Sequence, residues 1–152
     1  MHPGDDLLKL DDQLCFALVT AARNVVAIYR PVLEPLGLTH PQYLVMLALW
    51  ERAPRSLAEL ADELAMEPAT LSPLVKRLEA QGRVVRARRP ADERVLDIGL
   101  TAQGIALRER ALDVPAQVMA RVGMDVGEIA ALRDALNRFA GRRSGADVAG
   151  PT

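Results

Sequence analysis

From Leu14 to Tyr29 the chain is apolar with only three polar interruptions, Thr20, Arg23 and Asn24. The pattern predicts a helix capped by Asp11 or Asp12 and running to about Arg30. A helix apolar round most of its circumference needs cover on more than one side. A chain of 152 residues can hardly supply that cover alone, so a partner subunit is inferred. The segment "RPVLEPLGLTHPQ" then breaks the pattern with three prolines and a glycine. Thr39 precedes a second predicted helix, roughly Pro41 to Arg52, with Pro41 near its first turn.

"SLAELADEL" opens with Ser56 and has Glu59 three residues on, the spacing of a capping box. Leu57, Leu60, Ala61 and Leu64 fall on one helical face. After "AMEP", the stretch "ATLSPLVKRLEAQG" sets Leu71, Leu74, Val75 and Leu78 on another face, and Gly82 ends it. Two short helices with a tight connection predict a helix-turn-helix. Val84 and Val85 begin a β-prone run, "RPADER" supplies a turn, and Leu96, Ile98 and Leu100 alternate with Asp97 and Gly99. A two-stranded hairpin directly after a helix-turn-helix is a wing. Thr101 caps a further helix that Pro115 kinks or breaks. The last helix starts near Asp125, with Ile129, Leu132, Leu136 and Phe139 as its buried stripe.

The expected architecture is therefore mostly helical with a small β-wing, in one domain. Residues 53–100 form the winged helix-turn-helix between helical segments at about 5–52 and 101–141, and the tail 142–152 is disordered.

Aromatics make up only 3% of the chain, so the core must be aliphatic. The run "QYLVMLALW" is too short to span a bilayer, the acidic start lacks a signal peptide's basic region, and one cysteine allows no intrachain disulfide. These features predict a cytoplasmic protein. Net charge is −1, but it is unevenly spread: residues 1–69 carry 5 basic and 10 acidic side chains, whereas residues 70–94 carry 7 and 3. A local basic window on a near-neutral protein is a footprint for a polyanion.

That window coincides with the second helix of the helix-turn-helix and with the wing. Thr70, Ser72, Pro73, Lys76 and Arg77 lie off the apolar face, where a recognition helix carries its DNA contacts. The wing adds Arg86, Arg88, Arg89 and Arg94, and an arginine at a hairpin tip suits a minor groove. A basic face alone is usually a solvated face, and a leucine repeat alone is usually core. Their combination with a hairpin, in this order, favours double-stranded DNA.

The only cysteine, Cys15, falls in the first turn of the first predicted helix. Unpaired N–H groups and the helix dipole there favour a thiolate; Asp11 and Asp12 oppose it by repulsion. A lone cysteine is more often a buried structural residue. No pairing of histidine and cysteine has metal-ligand spacing, no glycine-rich phosphate loop is present, and no cofactor is expected.

From Leu57 to Gly104 the sequence resembles the winged helix-turn-helix of MarR-type bacterial regulators. The shared signature is Leu74 to Glu79, Gly82, the arginines from Arg86 to Arg89, Asp92 to Arg94, and Leu100 to Gly104. The resemblance implies that Arg94 enters a minor groove, that Asp92 orients it, and that the first and last helices, in the segments at about 5–52 and 101–141, are dimerisation helices that interlock in a homodimer. "LDDQLCFALV" and "YRPVLEPLGLTHPQYLVMLALWE" are similar to the OhrR-type subgroup, which senses organic hydroperoxides. That likeness implies Cys15 as the redox-sensing thiol. In the subgroup two tyrosines of the partner subunit polarise the thiolate. Tyr29 matches the first and His40 replaces the second, while a further subgroup tyrosine is Val19 here.

The expectation is a repressor that releases a pseudo-palindromic operator when an organic hydroperoxide oxidises Cys15 and a low-molecular-weight thiol caps the product. One alternative is a repressor that answers a small aromatic ligand, with Cys15 structural. A more remote one is a one-cysteine thiol peroxidase, which would have no need of the basic helix and wing.

Overall fold

The computed structural model describes residues 5–141. The chain divides into two compact units, residues 1–114 and 115–152.

In the first unit, a 3-10 turn at Leu10–Asp12 leads into α1, Leu14–Leu33. The start of α1 corrects the expectation of an aspartate cap. Gln13 holds the capping position, with no side-chain cap, and Asp11 and Asp12 belong to the preceding turn. The physical reason is local. The Gln13 amide donates to the Leu7 and Lys9 carbonyls, at 2.8 and 3.0 Å. The extended backbone at Gln13 then separates the aspartates from the helix.

α1 continues past Arg30 and through Pro31, and a 3-10 turn at Glu34–Leu36 closes on Gly37 at φ +69°. Together Leu14–Leu36 are long and apolar enough, by length and composition, to cross a membrane. This corrects the expectation that no segment reaches that length. Leu14, Val19, Val25 and Val26 on α1 are exposed within the chain.

α2 spans His40–Glu51 under a Thr39–Gln42 capping box. Its apolar residues face several directions, and Tyr43, Val45, Met46 and Leu49 are all buried. β1, Arg55–Ser56, is a two-residue strand that the hydrophobic pattern does not reveal. Ser56 and Glu59 form the anticipated capping box at the head of α3, Leu57–Glu63. α4 spans Pro68–Ala80 and ends through Gly82 at φ +75°. β2, Val84–Arg89, and β3, Asp92–Leu100, are antiparallel, and β1 adds to the far edge of β3, giving the order β1-β3-β2. Thr101 caps α5, Ala102–Ala111.

The core is aliphatic. Leu33, Leu36, Val45, Met46, Leu49, Leu60, Leu71, Val75, Leu78, Val84, Ile98 and Leu107 are buried. Among them is a buried cation, Arg55, 2% exposed. Its Nη2 donates to the Ala48 carbonyl, its Nε to the Arg52 carbonyl at 2.7 Å, and its Nη1 pairs with Glu63 at 3.1 Å. It thereby ties the C-terminal end of α2 to that of α3.

The junction of wing and α5 explains the Leu-Thr-x-x-Gly spacing. The Thr101 hydroxyl donates to the Gly82 carbonyl at 2.6 Å and accepts from the Gly104 N–H at 3.0 Å. A Cβ on Gly104 would stand 2.1 Å from the Arg83 carbonyl oxygen, so only glycine fits without backbone displacement. Trp50 donates its indole N–H to the Gly104 carbonyl at 2.9 Å.

Beyond Ala111 the chain breaks and resumes as α6, Val114–Val122, so Pro115 sits in the first turn of a new helix. In the second unit, Asp125 caps α7, Val126–Phe139, accepting from the Glu128 N–H at 2.8 Å. The expected buried stripe of α7 is corrected: Leu132, Leu136 and Phe139 are 49%, 39% and 67% exposed. Their periodicity is nevertheless that of a packed face. The tail 142–152, expected to be disordered, lies outside the described residues.

Candidate nucleic-acid interface and thiol site

α4 presents two unlike faces. Leu71, Val75 and Leu78 are buried, whereas Thr70, Pro73, Lys76 and Arg77 are exposed and Ser72 is half-buried. Helical spacing, with Pro68 starting the helix, places the exposed set on one polar face. Pro73 is tolerated near the start, where its missing N–H forfeits one helical bond.

The wing's arginines have different fates. Arg86 leans onto α4, where its Nε and Nη2 donate to the two Glu79 carboxylate oxygens at 3.0 Å each. The Arg86 backbone N–H adds a third bond to Glu79, at 3.2 Å. Arg88 is exposed and gives one bond, from Nη1 to the Glu93 carbonyl at 2.8 Å. Arg89 is enclosed by carboxylates: its Nη2 lies 2.8 Å from Asp97 and 3.1 Å from Glu59. At the tip, Arg94 is 91% exposed. The Asp92 carboxylate accepts from its backbone N–H and its Nε, both at 3.1 Å. A short acceptor two residues back thus holds a solvated arginine at the tip.

These pairings set the acidities. The Arg89 guanidinium, then the Ser56 N–H, holds the Glu59 carboxyl below its ordinary range. Arg86 does the same for Glu79, and Arg94 for Asp92. Glu59, Glu79, Arg89 and Asp97 were not singled out as a network by sequence reasoning. The signal available was only that an arginine-rich strand in a compact fold needs acidic neighbours.

Within the chain the three residues expected at the thiol do not all meet. Cys15, the second residue of α1, is exposed. Tyr29 and His40 do meet: their rings lie edge-on with centroids 4.9 Å apart, and Tyr43 stands 5.7 Å from Tyr29. Burial raises the Tyr29 and Tyr43 hydroxyls above their ordinary value and lowers the His40 imidazole. Cys15, however, sits 14 residues before Tyr29 on the same helix. At 1.5 Å per residue that is about 21 Å along the axis. The chain therefore brings Tyr29 and His40 together but holds Cys15 away from them. Tyr43, third member of the aromatic cluster, was missed because its position within α2 reads as core.

Beside His40 lies a groove of about 600 Å³, lined by Val26 and Arg30 of α1, Leu38 and Thr39 of the α1–α2 connection, His40 of α2 and Arg77 of α4, among others.

A three-stranded wing behind a helix-turn-helix, with a polar α4 face, defines the winged-helix class. The MarR family model matches residues 38–96. The organic hydroperoxide resistance transcriptional regulator of Bacillus subtilis is 37% identical over 86% of this chain and 89% of its own length. The regulator TtmR of Methylorubrum extorquens is 42% identical, covering 90% of this chain and 74% of its own. Among solved structures, reduced AbfR bound to DNA is 31% identical, with a TM-score of 0.74 over 90% of this chain and 95% of that one. AbfR comes from Staphylococcus epidermidis and has also been solved overoxidised and with a disulfide formed. The chain belongs to the MarR family.

Proposed function

We propose that this protein is a homodimeric, cytoplasmic DNA-binding repressor that senses organic hydroperoxides through Cys15. Its work is binding, not catalysis. α4 enters a major groove with Thr70, Ser72, Pro73, Lys76 and Arg77, and the wing places Arg94, held by Asp92, in the adjoining minor groove. Arg88 lies against the backbone, and Arg86, through Glu79, fixes the hairpin to α4. The observation that carries this reading is Arg94: a solvated arginine held by a neighbouring carboxylate, beside a helix whose cations are exposed. Half-sites lie about 34 Å apart or a multiple of that in a two-fold operator.

The uncovered apolar surfaces of α1 and α7 support the homodimer. Leu14, Val19, Val25 and Val26 on α1 and Leu132, Leu136 and Phe139 on α7 are apolar side chains that a partner chain would cover, and the partner would also complete the thiol site. A second copy of the chain, its α1 running past the first, can bring its Tyr29 and the adjoining His40 of α2 to Cys15. Peroxide oxidises the thiolate to a sulfenic acid with release of the alcohol. A low-molecular-weight thiol then condenses with it, losing water and leaving a mixed disulfide. That added group wedges into the helix packing and shifts the DNA-binding heads apart.

The groove beside His40 favours a second reading, in which a small aromatic effector settles between α1 and α4 and Cys15 is dispensable.

The test is affinity for a duplex selected by the wild-type protein from a random library, followed through a salt series. Binding should weaken steeply with salt as phosphate contacts release counterions. Arg94→Ala should reduce affinity more than Arg108→Ala, on α5. A flat salt response, or equal effects of the two variants, would remove the DNA interface.

A further inference from the structure

We propose that Arg89 is a positioning residue for DNA binding, clamping the wing to α3 so that Arg94 is presented at a fixed place, without contacting phosphate itself. The inference rests on the DNA-binding reading above.

Arg89 ends β2, directly opposite Asp92 in the hairpin register. Asp92 is the carboxylate that holds Arg94, so Arg89 closes the ladder beneath the tip. A register irregularity between Arg88 and Arg89 marks the place where the strand is re-aimed. Ala87 stands opposite Asp97, and its small side chain lets Arg89, two residues on, reach diagonally across to that carboxylate. Arg89 Nε lies 3.2 and 3.1 Å from the two Asp97 oxygens, and Nη2 lies 2.8 Å from Oδ1.

The same Nη2 also donates to Glu59 Oε1 at 3.1 Å. Glu59 belongs to a different element. It is the capping-box acid of α3, and its Oε2 accepts from the Ser56 N–H at 3.3 Å. One guanidinium therefore joins β2, β3 and α3.

Charge decides against a phosphate role. One arginine between two carboxylates has a formal net charge of −1, which repels a phosphate. Arg88, by contrast, meets only a backbone carbonyl among the described residues and keeps its charge for a partner. The planar fork also matters: a lysine at 89 conserves charge but cannot span two carboxylates on different elements.

The test uses full-length protein and the duplex selected by the wild type, with affinities measured by fluorescence anisotropy over a series of KCl concentrations. Arg94→Ala should make the slope of log K against log[KCl] shallower by about 0.9, the loss of one phosphate-class contact. Arg89→Ala should weaken binding about tenfold, about 1.4 kcal/mol, with the wild-type slope retained. Arg89→Lys should stay near Arg89→Ala. Glu59→Gln keeps the cap, since glutamine serves in a capping box, and decides the matter if Arg89→Ala does not fold. Removing its negative charge should by charge alone tighten DNA binding, whereas the clamp requires weakening. A shallower slope in Arg89→Ala with full rescue by lysine, or tighter binding by Glu59→Gln, would overturn the clamp while leaving the regulator intact. Failure of the wild type to select any duplex would instead remove the DNA-binding reading itself.

Discussion

Replacing Arg55 with methionine probes the most deeply buried charge among the described residues. The side chain is 2% exposed and makes two bonds to backbone carbonyls and one ion pair. Hydrogen bonds involving a charged group contribute about 1.5–3 kcal/mol each. The loss is not the full sum. The Ala48 carbonyl keeps its helical bond from the Arg52 N–H, at 3.1 Å. The Glu63 side chain is 40% exposed and can rehydrate. Methionine also restores apolar contact along the stem. We expect about 3–4 kcal/mol, which at about 2–4 °C per kcal/mol for a chain near this size lowers Tm by roughly 10 °C. The assay is a thermal melt by circular dichroism at fixed protein concentration, because association of subunits would shift Tm by mass action. Arg52→Met, at an exposed position, is the control and should leave Tm unchanged. A shift no larger than that control in Arg55→Met would refute the claim that this residue joins α2 to α3.

Gly104→Ala should destabilise by about 3 kcal/mol or more, since its Cβ meets the Arg83 carbonyl rather than a flexible side chain; a urea midpoint like that of wild type would count against the close approach. Acid should weaken the wing. Glu59, Glu79 and Asp92 have depressed pKa values, so their contribution is present above their unfolded values, 4.5, 4.5 and 3.8, and is lost as pH falls through the lower folded values. Urea midpoints should therefore fall as pH drops below about 4.5, and the Glu59→Gln/Glu79→Gln variant should show a flatter dependence; identical pH profiles would contradict the pairing.

Much of the architecture was legible because the periodicity and caps were strong. Ser56 with Glu59, Thr101 with Gly104, and Asp125 each set a helix start that the structure repeats. β1 was invisible, since two residues carry no period. Arg55 was passed over because an arginine between two polar stretches reads as surface; only the three-dimensional meeting of α2 and α3 gives it partners. The α7 stripe was read as a buried face, and in the single chain its Leu132, Leu136 and Phe139 are exposed. Periodicity reports that a face is to be covered, not by which molecule. For the site, the arginines of the wing were evident as a cluster, but the carboxylates that take up Arg86 and Arg89 lie 7, 8 and 30 residues away in sequence, beyond the reach of spacing arguments.

The central claim joins one thiol to one DNA interface. Its most direct test is a gel shift of the wild-type protein and Cys15→Ser on the selected duplex, before and after cumene hydroperoxide with a low-molecular-weight thiol present, with the state of Cys15 followed by mass spectrometry. The account predicts that wild type leaves the DNA as the mixed disulfide forms, while Cys15→Ser stays bound. Equal release of both proteins, or wild type still bound with Cys15 fully modified, would contradict it.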